Sequence, residues 1–198
     1  MELSENQPAK DIKFDNNRKG LVIEVGHGGP ATILNKKNAE YLNKKRANYL
    51  GVDPDSDTDS SFFNGYYDWA KNLQEDVYDL PHELDGKADE IWMANFKDMG
   101  KGTPNSKNLE KKIFGRVFEL TKPGGKLVFV NSYDYYKSEQ EEQIIDSLER
   151  AGFQVKKVDS DDFNKHPFIE SNCSPQVNVR PFVVIATKLI GSSSHNLD

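Results

Sequence analysis

The order of apolar segments along this 198-residue chain predicts an α/β domain, a mostly parallel sheet with helices on both faces. Three observations carry that expectation. Short β-forming runs alternate with stretches of helical spacing, and parallel neighbours need such crossovers. The first run, Leu21–Val25, breaks directly into Gly26-His27-Gly28-Gly29, a turn that lets bare backbone N–H groups approach a ligand. The last two runs, Phe153–Val158 and Pro181–Lys188, have no helical pattern between them. Such a pair usually packs antiparallel.

In order, residues 1–19 are polar and aperiodic, and are expected to be a flexible segment or short lid ahead of a domain spanning 20–190. Leu21–Val25 is the first strand. Ala31–Arg46 reads as a helix with Ile33, Leu34, Ala39, Tyr41 and Leu42 as buried positions. Tyr49–Val52 is the second strand, and an acidic polar loop follows from Asp53. Phe62–Leu73 reads as a helix. Asp76–Val77 is expected to end a short third strand, and Glu90–Ala94 is the fourth. Gly, Thr, Pro, Asn and Ser mark 97–106 as a loop. Leu109, Ile113, Val117 and Leu120 recur at helical spacing within Asn108–Leu120. Lys126–Val130 is the fifth strand. Ser138–Ala151 is a helix that starts acidic and is closed by Gly152. Beyond the sixth strand, Phe153–Val158, residues 164–180 read as an irregular insertion. Pro181–Lys188 is the seventh strand, and 191–198 are expected to be a disordered tail.

Composition bounds the function. Lys and Arg number 26 against 32 Asp and Glu, a net charge of −6. Duplex binding is driven by phosphate neutralisation, so this balance argues against a large nucleic-acid surface but not against a local basic patch. The apolar runs are strand-sized, and no membrane span is expected. Met1-Glu2-Leu3-Ser4-Glu5 is unlike a secretory signal. The single Cys173 excludes an intrachain disulfide and a cysteine-rich metal site. A cytoplasmic protein is expected.

Five segments stand in a recognisable order: Glu24-Val25-Gly26-His27-Gly28, Tyr49–Asp53, Gln74–Pro81, Ala88–Phe96 and Leu120–Val130, the last with its Lys122-Pro123-Gly124-Gly125 turn. Together they resemble the class I S-adenosylmethionine-dependent methyltransferase superfamily over residues 20–190. The resemblance implies a single Rossmann-like domain. Its seven-stranded sheet would have the order 3-2-1-4-5-7-6, with strand 7 antiparallel. It also implies S-adenosylmethionine as cofactor, held by Glu24, Gly26, Gly28, Asp53, Asp76, Val77 and Asn95. Gly26 and Gly28 would admit the methionine head. Glu24 would accept from its ammonium group, directly or through water. A carboxylate has two acceptor oxygens and a ribose two adjacent hydroxyls, which suits Asp53. Asp76 and Val77 match the adenine pair, a side-chain acceptor for the exocyclic amine and a backbone N–H for a ring nitrogen. Two departures stand out. Pro30 replaces the third glycine, and the stretch from Gly26 to Asp53 is several residues longer than the pattern, which makes Asp55 a rival ribose ligand.

Asn95, Tyr133 and His27 are the candidate catalytic residues, and Asn95 and Phe96 are expected near the sulfonium and the acceptor. Tyr133, Tyr135 and Tyr136 follow the fifth strand and suit a planar acceptor. The 163–180 insertion, with His166, Phe168 and Arg180, is expected to form a lid. No metal is expected. The Asp53, Asp55, Asp57, Asp59 run fails as a calcium loop, with Thr58 in place of glycine and Asn64 in place of the bidentate glutamate. Two basic groups bear on RNA: Lys36, Lys37, Lys44, Lys45 and Arg46, and Lys107, Lys111, Lys112 and Arg116. The leading reading is a methyltransferase for a small aromatic or heteroaromatic molecule. The alternatives are an RNA methyltransferase using a lysine-rich face and a non-catalytic binding domain of the same fold.

Overall fold

The computed structural model describes residues 12–26, 35–54, 67–96, 99–131, 138–173 and 181–191. Strands β1 (Gly20–Val25), β2 (Ala47–Val52), β3 (Ala70–Leu73), β4 (Ala88–Ala94), β5 (Thr121–Asn131), β6 (Phe153–Lys157) and β7 (Phe182–Lys188) form one sheet. Their order is β3-β2-β1-β4-β5-β7-β6. β7 runs antiparallel to both β5 and β6, and the other neighbours are parallel. Helices α1 (Lys36–Lys45), α2 (Pro104–Leu120), α3 (Ser138–Arg150) and α4 (Pro167–Asn172) flank it.

Successive strand residues point to opposite faces, and here both faces are covered. Ile23, Ile91, Leu127 and Phe129 pack with Phe114 and Val117 of α2 and Ile144 and Leu148 of α3. Their neighbours Val22, Trp92, Val128 and Val130 pack with Leu42 of α1 and Phe168 and Ile169 of α4. Two-sided burial is why these strands read as unbroken apolar runs. The Gly-Gly turn has a steric cause. Gly124 has φ +77°, and a Cβ on Gly125 would lie 2.8 Å from the Ala88 carbonyl oxygen.

Several expected boundaries change. Ala70–Leu73 is a strand, where a helix over Phe62–Leu73 was expected. The aromatic spacing mimics a helix, but β2 is buried throughout and takes its outer partner here. The Tyr49 N–H donates to the Trp69 carbonyl at 2.9 Å, and the Asp53 N–H to the Leu73 carbonyl at 3.1 Å. The third strand therefore ends at Leu73, and Val77 opens one 3-10 turn, Val77–Asp79. α1 starts at Lys36, five residues after Ala31, because Asn35 is extended and its side chain caps the Lys37 N–H. α2 begins at Pro104, inside the expected 97–106 loop, with Thr103 as its cap. β5 begins at Thr121 rather than Lys126. The 164–180 insertion is not wholly irregular, since it contains α4, entered through Pro167. Among the described residues no helix is long and apolar enough to cross a membrane.

Candidate active site

Three strands release the chain at one rim of the sheet. Gly26 leaves β1 with φ +67°, its N–H donating to the Val52 carbonyl at 2.8 Å. A Cβ there would lie 2.6 Å from Cζ of Phe96, so the position needs glycine for both backbone angle and space. Asn95 leaves β4 with φ +61°, a left-handed conformation that asparagine tolerates, its N–H donating to the Val130 carbonyl at 2.9 Å. Asp53 leaves β2 and is buried, 6% exposed. β1 lies between β2 and β4, so the chain's winding reverses there. Open α/β sheets bind ligands outside the carboxyl ends of the strands at such a point.

Two further acids stand near this rim. Glu24, 2% exposed, accepts a 2.5 Å hydrogen bond from the Tyr49 hydroxyl. Burial, then the Glu24 charge and this bond, hold the Tyr49 phenol well above its ordinary range. Asp76, three residues past β3, accepts a 2.5 Å bond from the Tyr78 hydroxyl. Lys112 of α2 places its Nζ 3.3 Å from the centroid of the Tyr78 ring.

The turn after β4 is pinned from below. Glu110 of α2 is fully buried and accepts from the Gly100 N–H at 2.7 Å, the Ser147 hydroxyl at 2.8 Å and the Gln143 amide at 3.3 Å. Helical position alone makes Glu110 look solvated, and the sequence reading passed it over. Glu110→Ala is expected to destabilise the fold by about 1–3 kcal/mol, because Gly100 loses its buried acceptor. Urea denaturation checks this, and an unchanged midpoint would contradict it.

Of the expected site residues, Gly26, Asp53 and Asn95 lie along the rim with Glu24 one pleat below, and Asp76 and Val77 follow the outer strand. His27, Gly28, Asp55 and Tyr133 lie outside the described residues. The lid expectation changes for His166 and Phe168. Phe168 stacks on Trp92 at 4.9 Å within the core beneath α4, and His166 is buried against Glu90. The basic groups change too. Arg116 is 6% exposed and is forked between Asp85, Glu119 and the Leu80 carbonyl. Lys45 is bonded to Glu90, and Lys37 to Glu170.

Glu90 is the strongest charged centre that sequence reasoning missed. It is 1% exposed and meets Tyr41 Oη at 2.7 Å, Lys45 Nζ at 2.5 Å, Trp92 Nε1 at 3.0 Å, His166 Nε2 at 3.1 Å and Lys126 Nζ at 3.4 Å. Burial opposes its charge. The bond to His166, the Lys126 charge and the bonds from Lys45 and Tyr41 outweigh burial and hold the carboxyl well below its usual range. It pairs with Val22 and Lys126 near the amino ends of the strands, away from the rim.

Solved structures share this architecture. The chain is similar to the aminoglycoside resistance methyltransferase NpmB1, at 18% identity over 86% of this chain and 89% of that one, with a TM-score of 0.55. It is similar to the antibiotic-resistance methyltransferase Kmr at 16% identity over 90% of each chain, TM-score 0.57. The chain has the class I methyltransferase fold. A mutant 16S rRNA (adenine(1408)-N(1))-methyltransferase from Catenulisporales acidiphilia shares that fold at 14% identity over 87% of this chain and 89% of that one, TM-score 0.56. No protein-family model matches the chain, and no curated protein matches it in sequence. The methyltransferase fold also serves other chemistry, since the [4+2]-cyclase SpnF is similar at 13% identity over 88% of this chain and 76% of that one, TM-score 0.56.

Proposed function

We propose that this chain is a methyltransferase that takes S-adenosylmethionine as donor and a small planar aromatic or heteroaromatic molecule as acceptor. The observation that carries the donor half is the rim itself. A glycine exit at Gly26, a buried carboxylate at Asp53 and a further carboxylate at Asp76 follow one another outward from β1 to beyond β3. That sequence of groups fits an amino-acid head, a ribose and an adenine in turn. The glycine admits close backbone approach, and the carboxylates offer only acceptors, which suits a cationic ligand rich in donors.

When bound, the donor supplies an electrophilic methyl carbon on a sulfonium. This chain's residues then hold and orient. Asp53 accepts from the two ribose hydroxyls. Asp76 accepts from the exocyclic amine of adenine, with the Val77 N–H on a ring nitrogen. Glu24, fixed by Tyr49, draws the ammonium toward Gly26. The acceptor's nucleophilic atom is held about 3–3.5 Å from the methyl carbon, in line with the breaking bond. The Phe96 ring, packed on Gly26, supplies a flat wall for a planar acceptor, and the Asn95 amide a polar contact beside it.

A second reading, RNA as acceptor, is favoured by the exposed Lys101, Lys107, Lys111 and Lys112, which stand before and along the first turns of α2. The rRNA enzyme among the similar structures adds to it. Methyl-labelled S-adenosylmethionine incubated with a small-molecule extract and, separately, with total RNA tests the choice. Label in the small-molecule fraction is expected. Label in RNA alone, with binding that falls steeply with salt, would move the assignment to the second reading.

A further inference from the structure

We infer that Tyr78, backed by Lys112, sets a preference of this site for a 6-aminopurine over a 6-oxopurine. The inference rests on the donor site proposed above. Asp76 stands at the start of a single 3-10 turn, its carbonyl accepting from the Asp79 N–H at 3.0 Å, and Tyr78 lies within that turn. The Tyr78 hydroxyl donates to Oδ2 of Asp76 at 2.5 Å. Among the described residues, Oδ1 takes no hydrogen bond. One oxygen is thus occupied and the other has a fixed direction.

Ionised carboxylates only accept hydrogen bonds. The free oxygen can meet the amine at position 6 of adenine, which donates. It repels the carbonyl at position 6 of hypoxanthine, which also accepts. How sharply the site tells the two apart depends on the carboxylate staying in one orientation. Tyr78 provides that restraint and is itself restrained. Lys112 projects from α2 onto the ring face, with its Nζ 3.3 Å from the centroid. The bond to Asp76, partial burial and the charges of Asp76 and Asp79 push the Tyr78 phenol up to about 12, so it remains a donor at neutral pH. Tyr78 acts through Asp76 and is a positioning residue.

The test compares S-adenosylhomocysteine with S-inosylhomocysteine by calorimetry on the full chain, as wild type, Tyr78→Phe, Lys112→Gln and Asp76→Asn, with thermal melts to confirm folding. Wild type is expected to prefer the adenosyl ligand by about tenfold or more, the scale on which mismatched polar groups are rejected. Tyr78→Phe is expected to narrow that ratio by about fivefold and Lys112→Gln by about twofold. Asp76→Asn should narrow it at least as much as Tyr78→Phe. A ratio within one folded variant is insensitive to a general loss of stability. An unchanged ratio in Tyr78→Phe, with wild type discriminating, overturns the inference and leaves the donor site standing. If Tyr78→Phe does not fold, an unchanged ratio in Lys112→Gln overturns it. Failure of folded wild type to bind either ligand removes the donor site and the inference with it.

Discussion

Glu90→Ala is expected to lower the unfolding free energy by about 3–5 kcal/mol, the scale for removing one partner of a buried ion pair. The loss exceeds that of one contact because Glu90 serves several elements at once. It binds Tyr41 and Lys45 of α1, Lys126 of β5 and His166 at the head of α4. Without it, the buried Trp92 Nε1 loses its acceptor, and the His166 ring, whose Nδ1 has no partner among the described residues, loses its Nε2 contact as well. The same network predicts a pH dependence. Glu90 titrates lower in the native state than in the unfolded chain. Its contribution is therefore complete above the ordinary glutamate range and is lost as pH falls through the depressed native value. Denaturation midpoints measured down the acid limb should fall more steeply for wild type than for Glu90→Ala. Parallel acid limbs would contradict this account of the network.

Asp53→Ala is expected to weaken S-adenosylhomocysteine binding by about 1–3 kcal/mol, roughly five- to 150-fold, with little change in the fold. The ribose hydroxyls would lose a two-oxygen acceptor and be left without an equivalent partner. Calorimetry on Asp53→Ala and Asp55→Ala side by side decides the register. A silent Asp53→Ala with a damaging Asp55→Ala would transfer the ribose role two residues along the loop.

Where the signal is local, the sequence was legible. β1 and its glycine exit, the Pro-Gly-Gly turn before β5, and the acid-started α3 carry their pattern within a dozen residues. The strand order came from the resemblance, because pairing of β1 with both β2 and β4 is non-local. β3 was expected to end at Asp76–Val77 rather than Leu73 for the same reason. Ala70-Lys71-Asn72-Leu73 has little strand character, and only the edge of β2 makes it extended. The short α4 gives fewer than two turns of periodicity, so its burial against Trp92 decides its place. Glu90 and Glu110 were hidden because a charged residue reads as solvated. Their partners lie 45 to 76 residues away for Tyr41, Lys45 and His166, and 33 to 37 for Gln143 and Ser147. The Asp76–Tyr78 contact spans two residues, but nothing in that spacing specifies the turn that brings hydroxyl to carboxylate.

In the proposed function, the rim formed by Gly26, Asp53 and Asp76 binds the methyl donor. Titration calorimetry of the folded full chain with S-adenosylmethionine and with S-adenosylhomocysteine tests it most directly. One-to-one binding of both ligands, weakened in Asp53→Ala, is the predicted result. A folded chain, verified by its thermal melt, that takes up neither ligand at millimolar concentration would contradict it.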